Sequence, residues 1–222
     1  MDPEKVLEQV AKEVATCPKC DLQYSRKKAV PGEGPANAEI MFIGEGPGFY
    51  ENEQGRPFVG AAGKFLDELL SRISMKRSDV FITNVVKCRP PANRDPLPEE
   101  IQICTSNYLN RQIEAINPRV IVTLGRHSMG LFLPDAKISR VHGTAVWVKN
   151  RLVVPMYHPA AALHQQSLRP ALEKDFERLP ELIAKAAKSP AAKASGKPER
   201  EKDQEKETEE QKKDDPKQLS LF

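Results

Sequence analysis

The chain has 222 residues with 34 basic and 31 acidic side chains, and its net charge of +3 is too small to indicate nucleic-acid binding by itself. It contains no run of about 18 apolar residues, which excludes a membrane-spanning helix. The charged start, MDPEKVLEQVAKEV, lacks the apolar segment of a secretory signal, so we expect a cytoplasmic protein.

Apolar periodicity predicts alternating helices and strands before residue 189. In chain order these are a helix over 3–15, a buried strand over 39–43, a helix around 65–73, a strand over 80–86, a helix over 99–116, a strand over 120–124, a hairpin of 145–148 with 152–156, and a helix over 171–188. This alternation predicts a mostly parallel sheet covered by helices on both faces. Ligands of such sheets bind at the carboxyl ends of the strands, which makes residues 44–48, 84–93, 125–127 and 158–163 the candidate site segments.

The stretch 189–217 differs from the rest of the chain. It holds eight basic and nine acidic residues, with three alanines as its only apolar side chains. Such a composition cannot bury enough apolar area to offset the entropy of ordering. We therefore predict a folded domain over 1–188, a disordered charged linker over 189–217 and a separate apolar peptide at 218–222.

The four cysteines form a second pattern. Cys17 and Cys20 are a C-x2-C pair, Cys88 follows after 67 residues, and Cys104 follows after 15 more. Disulfides are not usually maintained inside cells, and four thiolates can ligate an iron–sulfur cubane. Zinc remains an alternative, although zinc sites usually show two close pairs, and Cys88 and Cys104 could also be ordinary core cysteines.

A glycine-rich loop, Gly44-Glu45-Gly46-Pro47-Gly48, follows the first predicted strand. It lacks the Gly-Lys-Ser/Thr ending of a phosphate-binding loop and the six-residue dinucleotide fingerprint. Pro47 also removes an amide that a phosphate cradle would use. Nucleotide binding is therefore disfavoured, and either a plain turn or a carboxylate site at Glu45 remains.

Several ordered motifs together resemble the thermostable family 4 uracil-DNA glycosylases over about residues 10–180. These are C-x2-C, GEGPG-x2-E, GRPFVG-x2-G, ITNVVKCRPP-x-NR and MYHPA. The resemblance implies a three-layer α/β/α domain with a central, mostly parallel four-stranded sheet and a structural 4Fe–4S cluster held by the four cysteines. It also implies a nucleoid-associated monomer that removes uracil from single- and double-stranded DNA.

The same resemblance implies roles for individual residues. The predicted uracil-binding residues are Gly46, Glu51 beside the C5 position, Phe58 stacked on the base, Asn84 reading O4 and N3, and His158 donating to O2. The predicted catalytic residues are His158, Glu45, which would position water or balance sugar charge, and Asn93. Taken alone, each could be a turn, core or surface residue.

Further positions are expected to contact DNA or a partner. Leu163 could wedge into the gap left by the flipped base, and the candidate phosphate contacts are Arg26, Lys27, Lys28, Lys87, Arg89 and Arg94. The C-terminal QLSLF resembles the sliding-clamp-binding peptides of repair proteins, through Gln218, Leu219, Leu221 and Phe222. His127, His142 and His164 match no family position.

Two other functional classes remain open at this point. One is a non-catalytic iron–sulfur DNA-binding module with a decayed pocket. The other is a zinc-dependent hydrolase, which leaves the glutamate–glycine loop without a role. Both predict an intact uracil-containing strand after incubation, whereas a glycosylase leaves an alkali-labile site.

Overall fold

The computed structural model describes residues 2–188; the predicted linker and clamp peptide lie outside this range. None of the helices within it is both long and apolar enough to cross a membrane. The helices are α1 (Pro3–Ala15), α2 (Leu22–Ser25), α3 (Phe49–Gln54), α4 (Ala61–Arg72), α5 (Pro98–Cys104), α6 (Asn110–Ile116), α7 (Arg126–Gly130), α8 (Ile138–Val141), α9 (Pro159–His164) and α10 (Arg169–Lys188). The strands are β1 (Ile40–Gly44), β2 (Phe81–Asn84), β3 (Val120–Leu124), β4 (Val146–Val148) and β5 (Arg151–Met156).

The described residues form one five-stranded sheet in the order β2-β1-β3-β5-β4. The first four strands are parallel, with Phe42 opposite both Ile82 and Val122, and Val122 opposite Val154. The edge strand β4 pairs antiparallel with β5. The predicted three-layer α/β/α architecture with a mostly parallel sheet is thus confirmed, but the sheet has five strands rather than four because β4 of the predicted hairpin joins its edge.

Alternating side chains of the central strands supply two separate apolar layers. On one face, Phe42 packs in a cluster with apolar residues of α4, α9 and α10, and its ring stacks on that of Phe176 at 5.9 Å between centroids. On the other face, Met41 and Ile43 pack with residues of α1, α5 and α6. Because parallel strands are covered on both sides, β1, β2 and β3 are buried along their whole length and mostly apolar, with Thr83, Asn84 and Thr123 as buried polar exceptions.

Two predicted elements differ in detail from the structure. The strand predicted over 80–86 ends at Asn84, and the amides of Val85 and Val86 then donate to the carbonyls of Gly44 and Glu45 at 3.0 Å. The helix predicted over 99–116 contains a wider π-turn over Thr105–Leu109, directly after Cys104. Apolar periodicity detects neither feature because both depend on hydrogen bonding.

Candidate active site

The carboxyl ends of the parallel strands meet at one edge of the sheet, where a pocket opens. All predicted base-binding and catalytic residues line it: Glu45, Gly46, Glu51, Phe58, Asn84, Asn93 and His158. They lie at the end of β2 or in the segments that follow β1, β2 and β5, where ligands of a parallel sheet usually bind. His164, for which the sequence suggested no role, also lines the pocket.

Asn84 is the last residue of β2 and one of the few polar side chains in the interior. Its side chain is only 1% exposed, and its Oδ1 has no hydrogen-bond partner among the described residues. Buried polar atoms are normally paired, since an unpaired one costs about 1–3 kcal/mol. A ligand that donates an N–H in the pocket would remove that cost.

Phe58 forms one wall of the pocket in an unusual backbone conformation. Its φ of 51° lies in the left-handed region, which non-glycine residues rarely adopt. The guanidinium of Arg77 donates to the carbonyls of Pro57 and Phe58, at 2.7 and 3.1 Å. The Phe58 ring faces that of His158, with centroids 5.5 Å apart and planes 25° from parallel.

Glu51 uses both carboxylate oxygens to join two loops. Oε2 accepts from the Gly48 amide at 3.1 Å, and Oε1 accepts from the amides of Val59 and Gly60 at 2.9 Å each. The side chain therefore holds the glycine loop against the loop that carries Phe58. It is not the freely solvated carboxylate that the sequence left open as an alternative.

His158 caps the N-terminus of α9 with its ring. Its Nδ1 accepts a hydrogen bond from the Ala160 amide at 3.1 Å, so the neutral ring carries its proton on Nε2. Burial lowers the pKa of His158 to about 4, and the charge of Glu51 opposes this shift only partly. The imidazole is therefore neutral at pH 7 and presents an N–H donor.

Glu45 lies in a charged cluster at the rim of the pocket. Its Oε2 is 3.7 Å from Nε2 of His127, which is itself 3.5 Å from Asp95, and Arg126 forms an ion pair with Asp95. Burial raises the pKa of Glu45 above its usual value, which His127 partly offsets. His127 is thus a site residue that the sequence analysis missed, although it lies in the 125–127 segment that follows β3.

Asn93 also lines the pocket, on the segment that follows β2. Asn93 also has a left-handed φ of 53°, and its Oδ1 accepts from Arg89 Nε at 2.8 Å. The Arg89 guanidinium lies over the Phe49 ring at 5.3 Å, while Arg94 donates to both oxygens of Glu100 at 2.7 and 2.9 Å. Leu163 is 39% exposed on α9, as an apolar wedge would need to be.

The prediction that Lys87 contacts DNA phosphates is wrong. Its side chain is 1% exposed, and its ammonium donates to three internal oxygens rather than facing solvent. Burial lowers the pKa of Lys87 to about 8, which leaves it mostly charged at neutral pH. Arg26 also points inward, donating to the carbonyl of Cys17 at 2.9 Å and lying 3.5 Å from the Cys88 sulfur.

The four cysteines surround a small space between α1, the loop after β2 and the end of α5. Cys17, Cys20, Cys88 and Cys104 all line it together with Gln23, Lys87 and apolar side chains. Cys104 accepts from the Lys87 amide at 3.3 Å. Burial raises the pKa of Cys104 to about 12, so a thiolate there needs a bound cation or other positive charge to stabilise it.

The spacing of these sulfur atoms tests zinc against a cluster. Four thiolates at about 2.3 Å from one tetrahedral zinc ion lie about 3.8 Å apart. Among the described residues, however, no three cysteine sulfurs lie within 4.8 Å of one another. A cubane, in which each iron takes one thiolate, holds the sulfurs farther apart and fits this arrangement better.

Comparisons with known proteins agree with the geometry. Residues 31–181 match the family model described as the uracil DNA glycosylase superfamily. The chain is 52% identical over 186 residues to a type-4 uracil-DNA glycosylase of Sulfurisphaera tokodaii, covering 79% of this chain and 84% of that protein. It is 49% identical to one of Archaeoglobus fulgidus, over 81% of this chain and 94% of that protein. For a type-4 uracil-DNA glycosylase of Thermotoga maritima, identity is 43%, over 82% and 97% of the two chains.

Proposed function

The chain belongs to the uracil-DNA glycosylase superfamily and, within it, to the type-4 enzymes, and we infer from this that it excises uracil from DNA. The reaction hydrolyses the N-glycosidic bond, leaves an abasic site and initiates base excision repair. The observation that supports uracil binding in this pocket is the buried Asn84 Oδ1, which has no hydrogen-bond partner among the described residues. The roles of individual residues below are our proposal.

Asn84 reads the edge of the flipped base. Its Oδ1 accepts from uracil N3–H and its amide nitrogen donates to O4. Cytosine has an acceptor at N3 and a donor at the C4 amino group, so it would leave buried groups unpaired at about 1–3 kcal/mol each. This reversal makes the pocket selective for uracil among bases of similar shape.

Phe58 contacts a face of the base, and the glycine loop contacts its edge. Stacking on the Phe58 ring contributes roughly 1–3 kcal/mol per base. Glu51, by holding the Gly48 and Gly60 backbones together, fixes the wall beside C5 and leaves no room for the thymine methyl. Gly46 lets the loop backbone approach the base.

His158 and Glu45 act on the two charges that develop as the bond breaks. The neutral His158 donates its Nε2–H to uracil O2, where negative charge accumulates, and acts as a hydrogen-bond donor rather than a strong acid. The Glu45 carboxylate orients the water that attacks the sugar C1′ or stabilises the positive sugar. Asn93 assists from the segment that follows β2.

A 4Fe–4S cluster is the cofactor that the cysteine spacing supports. Cys17, Cys20, Cys88 and Cys104 would each ligate one iron. The cluster would brace the N-terminal segment and the end of α5 against the loop after Asn84. No candidate catalytic side chain belongs to this ligand set, so its role is structural.

The remaining proposals concern DNA and a partner. Arg89, Arg94 and the wedge Leu163 are the proposed contacts to DNA, in single or double strands. The C-terminal residues 218–222 would bind a sliding clamp, and a pull-down comparing the full chain with a 1–217 truncation tests this. We further propose that the enzyme works as a monomer in the cytoplasm, associated with the nucleoid.

The test of the function is an end-labelled oligonucleotide with one uracil, incubated with protein and then with alkali. Cleavage at uracil, and none in matched strands with thymine or cytosine at that position, is expected without added metal. Asn84→Ala serves as the active-site control and should reduce cleavage at least tenfold. An intact uracil strand with wild-type protein would instead favour a non-catalytic DNA-binding module.

A further inference from the structure

Lys87 occupies an unusual position for a lysine. It lies on the loop between Asn84 and Cys88, and its ammonium uses all three of its donors inside the protein. These reach the Thr83 hydroxyl at 2.6 Å, the Asn84 carbonyl at 2.8 Å and the Gln112 side-chain carbonyl at 2.7 Å. Three short hydrogen bonds from a charged donor fix the conformation of the loop, which apolar packing alone would not do.

The three acceptors belong to two different layers of the fold. Thr83 and Asn84 end β2, whereas Gln112 lies on α6 and is itself held by its amide donating to the Pro31 carbonyl at 2.8 Å. On its other side, the Lys87 backbone amide donates to the Cys104 sulfur. One residue therefore contacts both the base-reading asparagine and a cysteine of the second site.

The charge of this ammonium lacks an obvious partner. Its three acceptors are all neutral oxygens, and no carboxylate forms an ion pair with it within the part of the chain that is described. An isolated buried charge is costly, so such groups are normally paired. Lys87 lines the same small space as the four cysteines. A cluster bound there by four thiolates would keep net negative charge.

We propose that Lys87 is a positioning residue that joins the two sites: its ammonium fixes the Asn84 carbonyl and, together with the Arg26 guanidinium beside Cys88, supplies positive charge that balances the cysteine-bound cluster. This rests on the proposed function and on the proposed cluster, and it assigns Lys87 no contact with substrate. Loss of the lysine should therefore loosen uracil recognition and cluster retention together. A lysine that only filled the core would not link these two properties.

The test compares the full-length protein with Lys87→Met, which keeps the length of the side chain but removes the charge and its donors. Lys174→Met, an exposed lysine of α10, is the matched control. In folded monomer isolated by gel filtration, we expect Lys87→Met to lower iron per chain and to raise the inhibition constant of free uracil at least tenfold. The control should leave both within twofold of wild type. Unchanged iron and uracil inhibition in folded Lys87→Met would overturn the proposal.

Gln112→Glu keeps an acceptor at Lys87 and places a carboxylate against the ammonium, so it remains informative if Lys87→Met fails to fold. We expect it to lower the midpoint potential of the cluster, because net positive charge beside it is lost. An unchanged potential with full iron content would refute the charge-balancing role. If wild-type protein bound free uracil but did not cleave uracil-containing DNA, the proposed function would be contradicted. The comparisons of Lys87→Met and Gln112→Glu with wild type would still test the role of Lys87.

Discussion

Gly44 ends β1 beside the side chains of both Asn84 and Phe58. A methyl group at this position would lie 2.4 Å from Asn84 Oδ1 and 2.7 and 2.9 Å from two carbons of the Phe58 ring. Ordinary van der Waals contact begins at 3.4 Å, so the asparagine oxygen would have to retreat by about 1 Å. The backbone of Gly44 needs no left-handed φ, so Gly44→Ala perturbs the site without straining the chain.

The expected consequence is a large loss of activity with a modest loss of stability. A displacement of about 1 Å in a positioned group can cost about 100-fold in rate, which corresponds to about 2.7 kcal/mol. Overpacking of this kind typically costs about 1–3 kcal/mol of folding free energy. Since domains have about 5–15 kcal/mol of stability, most Gly44→Ala molecules should remain folded.

The assay is kcat/KM for uracil excision from a labelled oligonucleotide, together with thermal unfolding of the same preparations. Gly130→Ala is the matched control, because a methyl group there meets nothing within 4 Å. This control should keep full activity. If folded Gly44→Ala retained more than a third of the wild-type kcat/KM, the close packing of Asn84 and Phe58 would not determine the geometry of uracil binding.

Three further predictions concern Glu45, His158 and Cys88. Burial raises the pKa of Glu45, so the activity of the wild-type protein should fall as the pH drops through a midpoint above 4.5, where the carboxylate is protonated. In Glu45→Gln this acid limb should be lost. The residual activity of the variant should fall only near pH 4, where His158 becomes charged. An unshifted acid limb in that variant would exclude Glu45 as its source. His158→Ala, which removes the proposed donor to O2, should lower the single-turnover rate constant about 100- to 1,000-fold, and a loss below fivefold would contradict the role. Cys88→Ser should lower the visible absorbance of the proposed cluster. It should also lower the Tm by about 2–4 °C for each kcal/mol of unfolding free energy lost, before it affects the chemistry of molecules that stay folded. Absorbance and Tm equal to those of wild type would argue against a structural cluster.

Much of the fold follows from local sequence patterns. The strands β1 and β3 are continuous apolar runs that stop at Gly44 and Gly125, and both boundaries lie within one residue of the prediction. The hairpin of β4 and β5 was also predicted correctly. The π-turn after Cys104 was not, because its wider hydrogen bonding leaves no trace in the spacing of apolar residues.

The site was less completely predictable. A lysine followed by Cys-Arg reads as part of a basic surface, and only the packing of Thr83 and Gln112 around it shows that Lys87 points inward. The sequence around His127 matches no family motif, so the sequence analysis assigned it no role. Its contact with Glu45 joins the ends of β1 and β3, so tertiary structure alone reveals it.

The left-handed conformation of Phe58 has a consequence for the timing of recognition. Such a conformation costs roughly 1–3 kcal/mol and persists only where the surroundings determine it, as Arg77 does here through two backbone carbonyls. That cost arises once, when the protein folds. An arriving base then meets an aromatic ring already in place, and little further conformational entropy is lost at each encounter. The aromatic wall that we propose for the base therefore need not be formed anew for each base that enters the pocket.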